Sequence, residues 1–442
     1  MRSTAPRSLT AALFAAVLAL AAAPAPARSA DTAAPNDTAR FLAGLPPDAQ
    51  SPLAALAKGS EWTQHARFFD AIFAREDTEA LSKVRAFAKD HLTPPSDTML
   101  YMFSGPDFLY ATSFFPAAKT YVLAGLEPVG PIPQLTELSR GAVDATLHNL
   151  EGSLGTILNL SFFITKNMRS QLSTGPVYGT IPVLYVFLAR TGKTVHDVSL
   201  VGLDGQGNEI APDDADAKRK FAASAAKGVK ITFTDGSGPL QTLYYFSTDL
   251  SDSGVRSSGF LEFCDKLGVA DSFIKSASYL LHGGNFSRVR TFLLYHSATL
   301  LEDDSGIPLG YFDPKKWRLQ PFGHYSAPLG IFPGTYQPRM AELFRNAAPL
   351  DFGIGYARRR DASSLLLAQR LPPGVTATDL KDWLTTKADN LTDGAEPSKS
   401  QRKRPPTARQ TDGLRGFFGV FGNSDSADGP SNGYAPRPRP PR

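Results

Sequence analysis

The chain has 442 residues, 42% hydrophobic and 20% charged, which is enough apolar material for a large buried core and rules out a wholly disordered polymer. A single cysteine, Cys264, excludes an internal disulfide framework and any multi-cysteine metal site. The net charge of +4 belongs to the ends: residues 1–30 carry +3, and residues 399–442, with nine basic and three acidic side chains, carry +6. The body between them is left at −5, so no nucleic-acid partner is expected.

Residues 1–30 read as a secretory signal. Arg2 and Arg7 precede the apolar run Leu9 to Ala23, and small residues near Ala27 and Ala30 suit cleavage. A membrane anchor is the rival, but 15 apolar residues are short for a span. The expectation is a periplasmic or secreted protein. Residues 31–52 are expected to be a flexible lead, followed by a single α/β domain over 53–370.

From Leu53 to Asp90 the pattern is helical, with Trp62, Ala66, Phe69 and Phe73 at four- and three-residue steps and a second helix around Leu81 to Phe87. The period then changes. Thr98 to Ser104 is an apolar run stopped by Gly-Pro, Asp107 to Phe115 suits a helix ended by Pro116, and Lys119 to Leu126 is a second apolar run. A strand, a short crossover and a strand make a parallel unit. Two helices are expected over Gln134 to Asn149 and Leu154 to Met168, then a strand from Val177 to Ala189 broken at Pro182. Val198 to Ile210 contains a Gly-rich hairpin turn. Gly228 to Thr234 and Leu240 to Thr248 are two strands joined by Asp-Gly-Ser-Gly.

Two helices are expected over Ser272 to Leu281 and Phe286 to Leu301, the second with Phe286, Val289, Leu293, His296 and Leu300 on one stripe. Ile307 to Pro338 reads as irregular structure rich in Pro, Gly and aromatics. A helix near Met340 to Asn346 and a strand near Phe352 to Ala357 close the domain. Beyond it lie an amphipathic helix at Asp379 to Ala388 within a linker (371–398) and a disordered basic tail (399–442). The fold class expected is α/β, a mixed, partly parallel sheet flanked by helices. The tail is expected either to be inert or to make weak contact with anionic membrane or cell wall, with Phe417, Phe418 and Phe421 as an apolar foot.

The strongest local signal is an internal resemblance. Leu100 to Asp107 reads LYMFSGPD and Leu243 to Asp249 reads LYYFSTD; both are apolar runs ending in Phe-Ser with an aspartate close behind. If both strands run parallel in one sheet, Ser104, Asp107, Ser247 and Asp249 gather at its carboxyl edge, where open α/β sheets bind ligands, and Glu127 joins them from the neighbouring strand. Ser104, Asp107, Glu127 and Asp249 are the catalytic candidates, able to divide acid and base roles or to hold a divalent cation. Ser247, Asp252, His324 and Tyr325 are the ligand-binding candidates. The structural alternative is a capping box in which Ser104 starts the following helix, with Asp249 and Asp252 capping turns.

Glu302, Asp303 and Asp304 form a second acidic group, expected at a helix carboxyl end with their side chains in water. The seven histidines show no H-E-x-x-H. His296 is expected to be a core histidine and His282 a charged residue at a helix end. A Ser104–His324–Asp249 set would be a nucleophilic triad, but no G-x-S-x-G elbow accompanies it. Glycine-rich nucleotide motifs are missing, so no nucleotide cofactor is indicated, and Cys264 reads as buried packing. Two functions remain. One is an envelope protein binding a small polar ligand or glycan at the sheet edge, helped by the aromatics of Tyr311 to Tyr336; the other is a periplasmic hydrolase, metal-assisted or not, using the acidic strand ends. The sequence decides neither catalysis nor oligomeric state.

Overall fold

The computed structural model describes residues 33–160, 175, 177–357 and 361–372. The signal, the helix at Asp379 to Ala388 and the basic tail lie outside the described residues, as does most of the second half of Leu154 to Met168.

The fold is α/β, built on one mixed sheet of ten strands with helices on both faces. The segment expected to be a flexible lead instead carries α1 (Pro35–Leu42), whose Phe41 and Leu42 are fully buried against a later helix. The helical pattern that follows is α2 (Ser60–Glu76), which runs through one wide turn into α3 (Ser82–His91). Next comes the parallel unit: β1 (Thr98–Tyr101), α4 (Phe108–Phe114) and β2 (Thr120–Gly125), with Leu100 beside Val122. The two helices expected after it are one continuous α5 (Arg140–Leu160), which tolerates Gly152 and Gly155.

The stretch expected to be a strand broken at Pro182 is α6 (Ile181–Arg190), with that proline in the first turn, where its missing N–H costs nothing. Nine successive residues of α6, Ile181 to Ala189, are buried, so no periodicity marks it as a helix. The hairpins are as expected: β3 (Lys193–Leu203) turns into β4 (Glu209–Ile210), and after α7 (Ala215–Ala223), β5 (Lys227–Asp235) turns through Asp-Gly-Ser-Gly into β6 (Leu240–Ser247).

After α8 (Asp252–Ser258) and α9 (Phe260–Lys266), the helix expected over Ser272 to Leu281 is instead β7 (Ala270–Ile274), buried at every position. The next helix is shorter than expected: α10 (Ser287–His296) passes directly into β8 (Ser297–Glu302). Two further strands lie where none is expected, β9 (Trp317–Gly323) and, beyond α11 (Pro338–Leu343), β10 (Ser364–Arg370). β9 is the edge strand, which is why Pro321 is tolerated there. Phe352 to Ala357 forms no strand; Phe352 and Ile354 are core residues before a short helical turn.

The spatial order is β4-β3-β5-β6-β2-β1-β7-β8-β10-β9. Its centre, β6-β2-β1-β7-β8, is all parallel, and the flanking strands are antiparallel. Side chains alternate between two cores. Tyr101, Leu123, Tyr245 and Phe273 face the layer of α1 to α6, while Leu100, Val122, Phe246 and Ile274 face that of α8 to α11. The chain builds outward from β1 to β2 and β6, then returns to place β7 on the other side of β1. The reversal between β1 and β7 opens a crevice at the carboxyl ends of the strands, the place where open α/β sheets take ligands.

Candidate functional site

The two look-alike segments end β1 and β6, which run parallel in one sheet with β2 between them. A half-open pocket of about 80 Å³, room for several waters, lies where β6, β2, β1 and β7 end. Each strand contributes residues at or just past its end: Thr248 and Asp249 from β6, Gly125 and Glu127 from β2, Phe103 and Gly105 from β1, Ser276 to Ser278 from β7. Phe286, before α10, packs edge-on against Phe103 at 5.8 Å.

Close backbone approach makes this rim possible. A Cβ on Gly125 would meet the Glu127 carboxylate and, at 2.9 Å, the Gly105 Cα. Gly105 itself has φ +57, a conformation that suits glycine. Among the described residues, four non-glycine residues have positive φ: Phe103, Ser276, Ser278 and Tyr279. Three of them line the pocket and the fourth, Tyr279, is next in sequence to Ser278. Such conformations cost on the order of 1–3 kcal/mol each and persist only where the surroundings impose them.

The surroundings of residues 276–279 are the acidic turn after β8. The Ser276 N–H donates to Asp303 Oδ2 (2.8 Å), the Ala277 N–H to Ser305 Oγ (2.7 Å) and the Ser278 N–H to the Tyr356 hydroxyl (3.1 Å), which in turn donates to the Ser276 carbonyl (2.7 Å). The Tyr279 hydroxyl donates to Asp304 Oδ2 at 2.5 Å. Glu302, Asp303 and Asp304 therefore do not end a helix or reach into water. They end a strand, and burial pushes all three carboxyls up, Asp304 to about 7. The charge of Asp303 adds to the rise at Asp304, and the Tyr279 hydrogen bond works against it.

The candidate residues separate into groups. Glu127 and Asp249 line the pocket together. Glu127 is 1% exposed and its carboxylate accepts from the Tyr245 hydroxyl at 3.3 Å; Asp249 is exposed and also accepts from the Ser251 N–H (2.8 Å) and hydroxyl (2.9 Å), so it caps a turn as well. Asp107 is not on the pocket. It caps α4 through the Tyr110 N–H (3.2 Å) and accepts from the Tyr101 hydroxyl (2.9 Å) and from Lys275 Nζ (2.8 Å). Asp107 and Lys275 are each 1% exposed at the side chain, and the ammonium sits 3.7 Å from the centre of the Tyr110 ring. The capping box expected of Ser104 does not form, because its hydroxyl donates to the Gly105 and Ala124 carbonyls instead. Ser247 pairs in the ladder with Gly125, and Asp252 ties α8 to α10 through the Ser287 hydroxyl and the Arg288 N–H.

His324 and Tyr325 line a separate, small cavity of about 20 Å³ with Asp304, Tyr279 and Tyr356, so the Ser104–His324–Asp249 set is not assembled. Tyr325 stacks on Tyr336 at 5.9 Å, and burial pushes its hydroxyl up to about 12. His282 is not a charged helix cap; burial holds it down to about 4, with Arg290 adding. His296 is not a core histidine but pairs with Asp265 at 2.6 Å. Cys264 is buried, and burial raises its thiol far above the usual range. Among the described residues no group of three or more His, Cys, Asp or Glu is arranged to hold a metal ion. For Asp107 the reason is plain: Lys275 occupies the place a cation would take.

Two side-chain atoms on the pocket residues have no partner. Thr248 Oγ1 and Ser276 Oγ are buried without a hydrogen bond, one from β6 and one from β7. Thr248 is only 4% exposed. An orphaned buried hydroxyl costs free energy, and two among the residues of one pocket call for an explanation. No sequence signal marks Ser276, Ser278 or Lys275, since Ser272 to Leu281 reads as helix.

No known protein family matches this chain, and no curated protein or solved structure is detectably similar to it.

Proposed function

We propose that this is an exported protein that binds a small, hydrogen-bonding organic ligand, such as a sugar unit, in the pocket between the ends of β6, β2, β1 and β7. The observation that carries the reading is the pair of orphaned hydroxyls, Thr248 Oγ1 and Ser276 Oγ, in a pocket at the sheet's reversal point. Phe103 and Phe286 supply flat apolar faces, which suit the ring of such a ligand, while Glu127 and Asp249 supply acceptors. The strained backbone at Phe103, Ser276 and Ser278 fits a preorganised wall, held by Asp303, Ser305 and Tyr356.

Export rests on Arg2, Arg7 and the apolar run Leu9 to Ala23. No helix among the described residues is long and apolar enough to cross a membrane. Hydrolysis is the weaker reading. Asp304, whose carboxyl burial pushes up to about 7, opens on the neighbouring cavity, and Ser104 has no base beside its hydroxyl among its hydrogen-bond partners.

Native mass spectrometry of the protein isolated from its own source tests the reading. The expected result is a retained small molecule that is lost when Leu250, at the pocket wall, is enlarged to Trp. A bound species unaffected by that change, or a protein with nothing bound whose melting temperature responds to no hydroxylated compound, would refute it.

A further inference from the structure

If the pocket is a ligand site, its charge selects what enters. Of the described residues that line it, two are carboxylic, Glu127 and Asp249, and none is Lys, Arg or His. The basic groups on the same segments lie outside that lining. Lys275 is buried against Asp107 on the opposite face of its strand end. Arg290 donates to the Leu281 and Gly283 carbonyls and lies over the Tyr311 ring at 4.1 Å. Arg288, exposed in the first turn of α10, gives its N–H to Asp252, and its side chain is not part of the pocket lining. His282, beside Tyr279, is kept uncharged at neutral pH by burial.

We infer that the ligand is a hydroxylated molecule carrying a protonated amine, with its ring or carbon skeleton on Phe103 and Phe286, its hydroxyls on Thr248 and Ser276, and its ammonium beside Asp249. The inference rests on the reading of the pocket as a ligand site. A phosphate or carboxylate would meet the Asp249 carboxylate with no Lys, Arg or His among the described lining residues, and a low-dielectric wall strengthens that repulsion. An ammonium gains from Asp249 and from the faces of the two phenylalanines, which attract cations. Thr248, 96% buried and carrying an unpartnered hydroxyl among the lining residues, supports a hydrogen-bonding occupant independently of the acids.

Three ring-matched probes test the charge class: glucosamine, glucose and glucuronate, titrated into the full chain in slightly acidic buffer and followed by calorimetry and by amide chemical shifts. The expected order is glucosamine tightest, glucose weaker and glucuronate not measurable. Asp249→Asn, which keeps the turn hydrogen bonds to Ser251, should weaken glucosamine about fivefold, the upper end for a part-exposed ion pair. Added salt should weaken glucosamine and leave glucose unchanged. Binding of glucuronate as tight as that of glucosamine, or an Asp249→Asn protein with an undiminished preference for the amine, overturns the charge class while leaving the pocket as a ligand site. If no probe shifts the amides of Gly105, Thr248 or Ala277, the ligand site itself is overturned with it.

Discussion

Replacing Lys275 with Met isolates the ion pair that fixes the start of the crevice. Lys275 and Asp107 are both 1% exposed at the side chain and 2.8 Å apart. At that distance, with an effective dielectric constant of 20, their attraction is about 6 kcal/mol, offset in large part by the cost of taking both charges out of water. In Lys275→Met the Asp107 carboxylate keeps the Tyr101 hydroxyl and the Tyr110 N–H but loses its counter-charge. The expected loss is about 3–5 kcal/mol, the range for a buried charge stripped of its partner. The pair Asp107→Asn with Lys275→Met should recover much of it, because no uncompensated charge remains and the amide still serves the Tyr110 N–H and the Tyr101 hydroxyl. Urea unfolding followed by tryptophan emission, read at unchanged m, measures both variants. A loss under about 1 kcal/mol in the single variant, or a double variant less stable than the single, would refute the assignment of Asp107 as a structural charge. It would also return Asp107 to the list of candidate catalysts.

Gly125→Ala should cost about 1–3 kcal/mol and displace the Glu127 carboxylate, visible as a shift in the melting temperature and in the amides of Gly105 and Glu127. Tyr356→Phe strips the hydroxyl that serves the Ser276 carbonyl and the Ser278 N–H; the expected cost is about 2–4 kcal/mol, with faster hydrogen exchange confined to residues 276–279. Asp304 gives a pH signature. Its carboxyl rises from 3.8 unfolded to about 7 folded, so its contribution is fully present below about pH 4 and is lost as pH rises through 7. His282, held down to about 4, contributes with the opposite sign as pH falls below 6.5. The quantity to read is therefore the stability difference between the wild type and Asp304→Asn, which should change by on the order of 4 kcal/mol between pH 4 and 7. Parallel profiles would remove Asp304 as a buried, near-neutral acid.

The parallel unit and the hairpins were legible because their signals are local. Thr98 to Ser104 and Lys119 to Leu126 are short apolar runs bounded by Gly and Pro, and Asp-Gly-Ser-Gly marks a tight turn. Errors gather where an element is buried on all sides and leaves no period to read. Ile181 to Ala189 is a fully buried helix, and Ala270 to Ile274 is a strand enclosed by β1 and β8. The misreading of β7 also hid half the site. Glu127 and Asp249 could be found because acids just past an apolar run stand out, whereas Ser276 and Ser278 look like ordinary helix residues until β7 is placed beside β1. Asp107 shows the converse. Its position after the run was read correctly, but the partner that turns it inward lies 168 residues away. No local pattern reports that.

The most direct test of the pocket as a ligand site is the stability of Thr248→Val combined with Ser276→Gly, measured without ligand and again with the molecule that co-purifies with the protein. The valine removes an orphaned hydroxyl at nearly constant volume, and the glycine relieves a left-handed serine at φ +53. The account predicts a ligand-free protein about 1–3 kcal/mol more stable than the wild type, with affinity for the co-purifying molecule reduced at least tenfold. A less stable ligand-free protein, or one that holds the molecule as tightly as before, would contradict it.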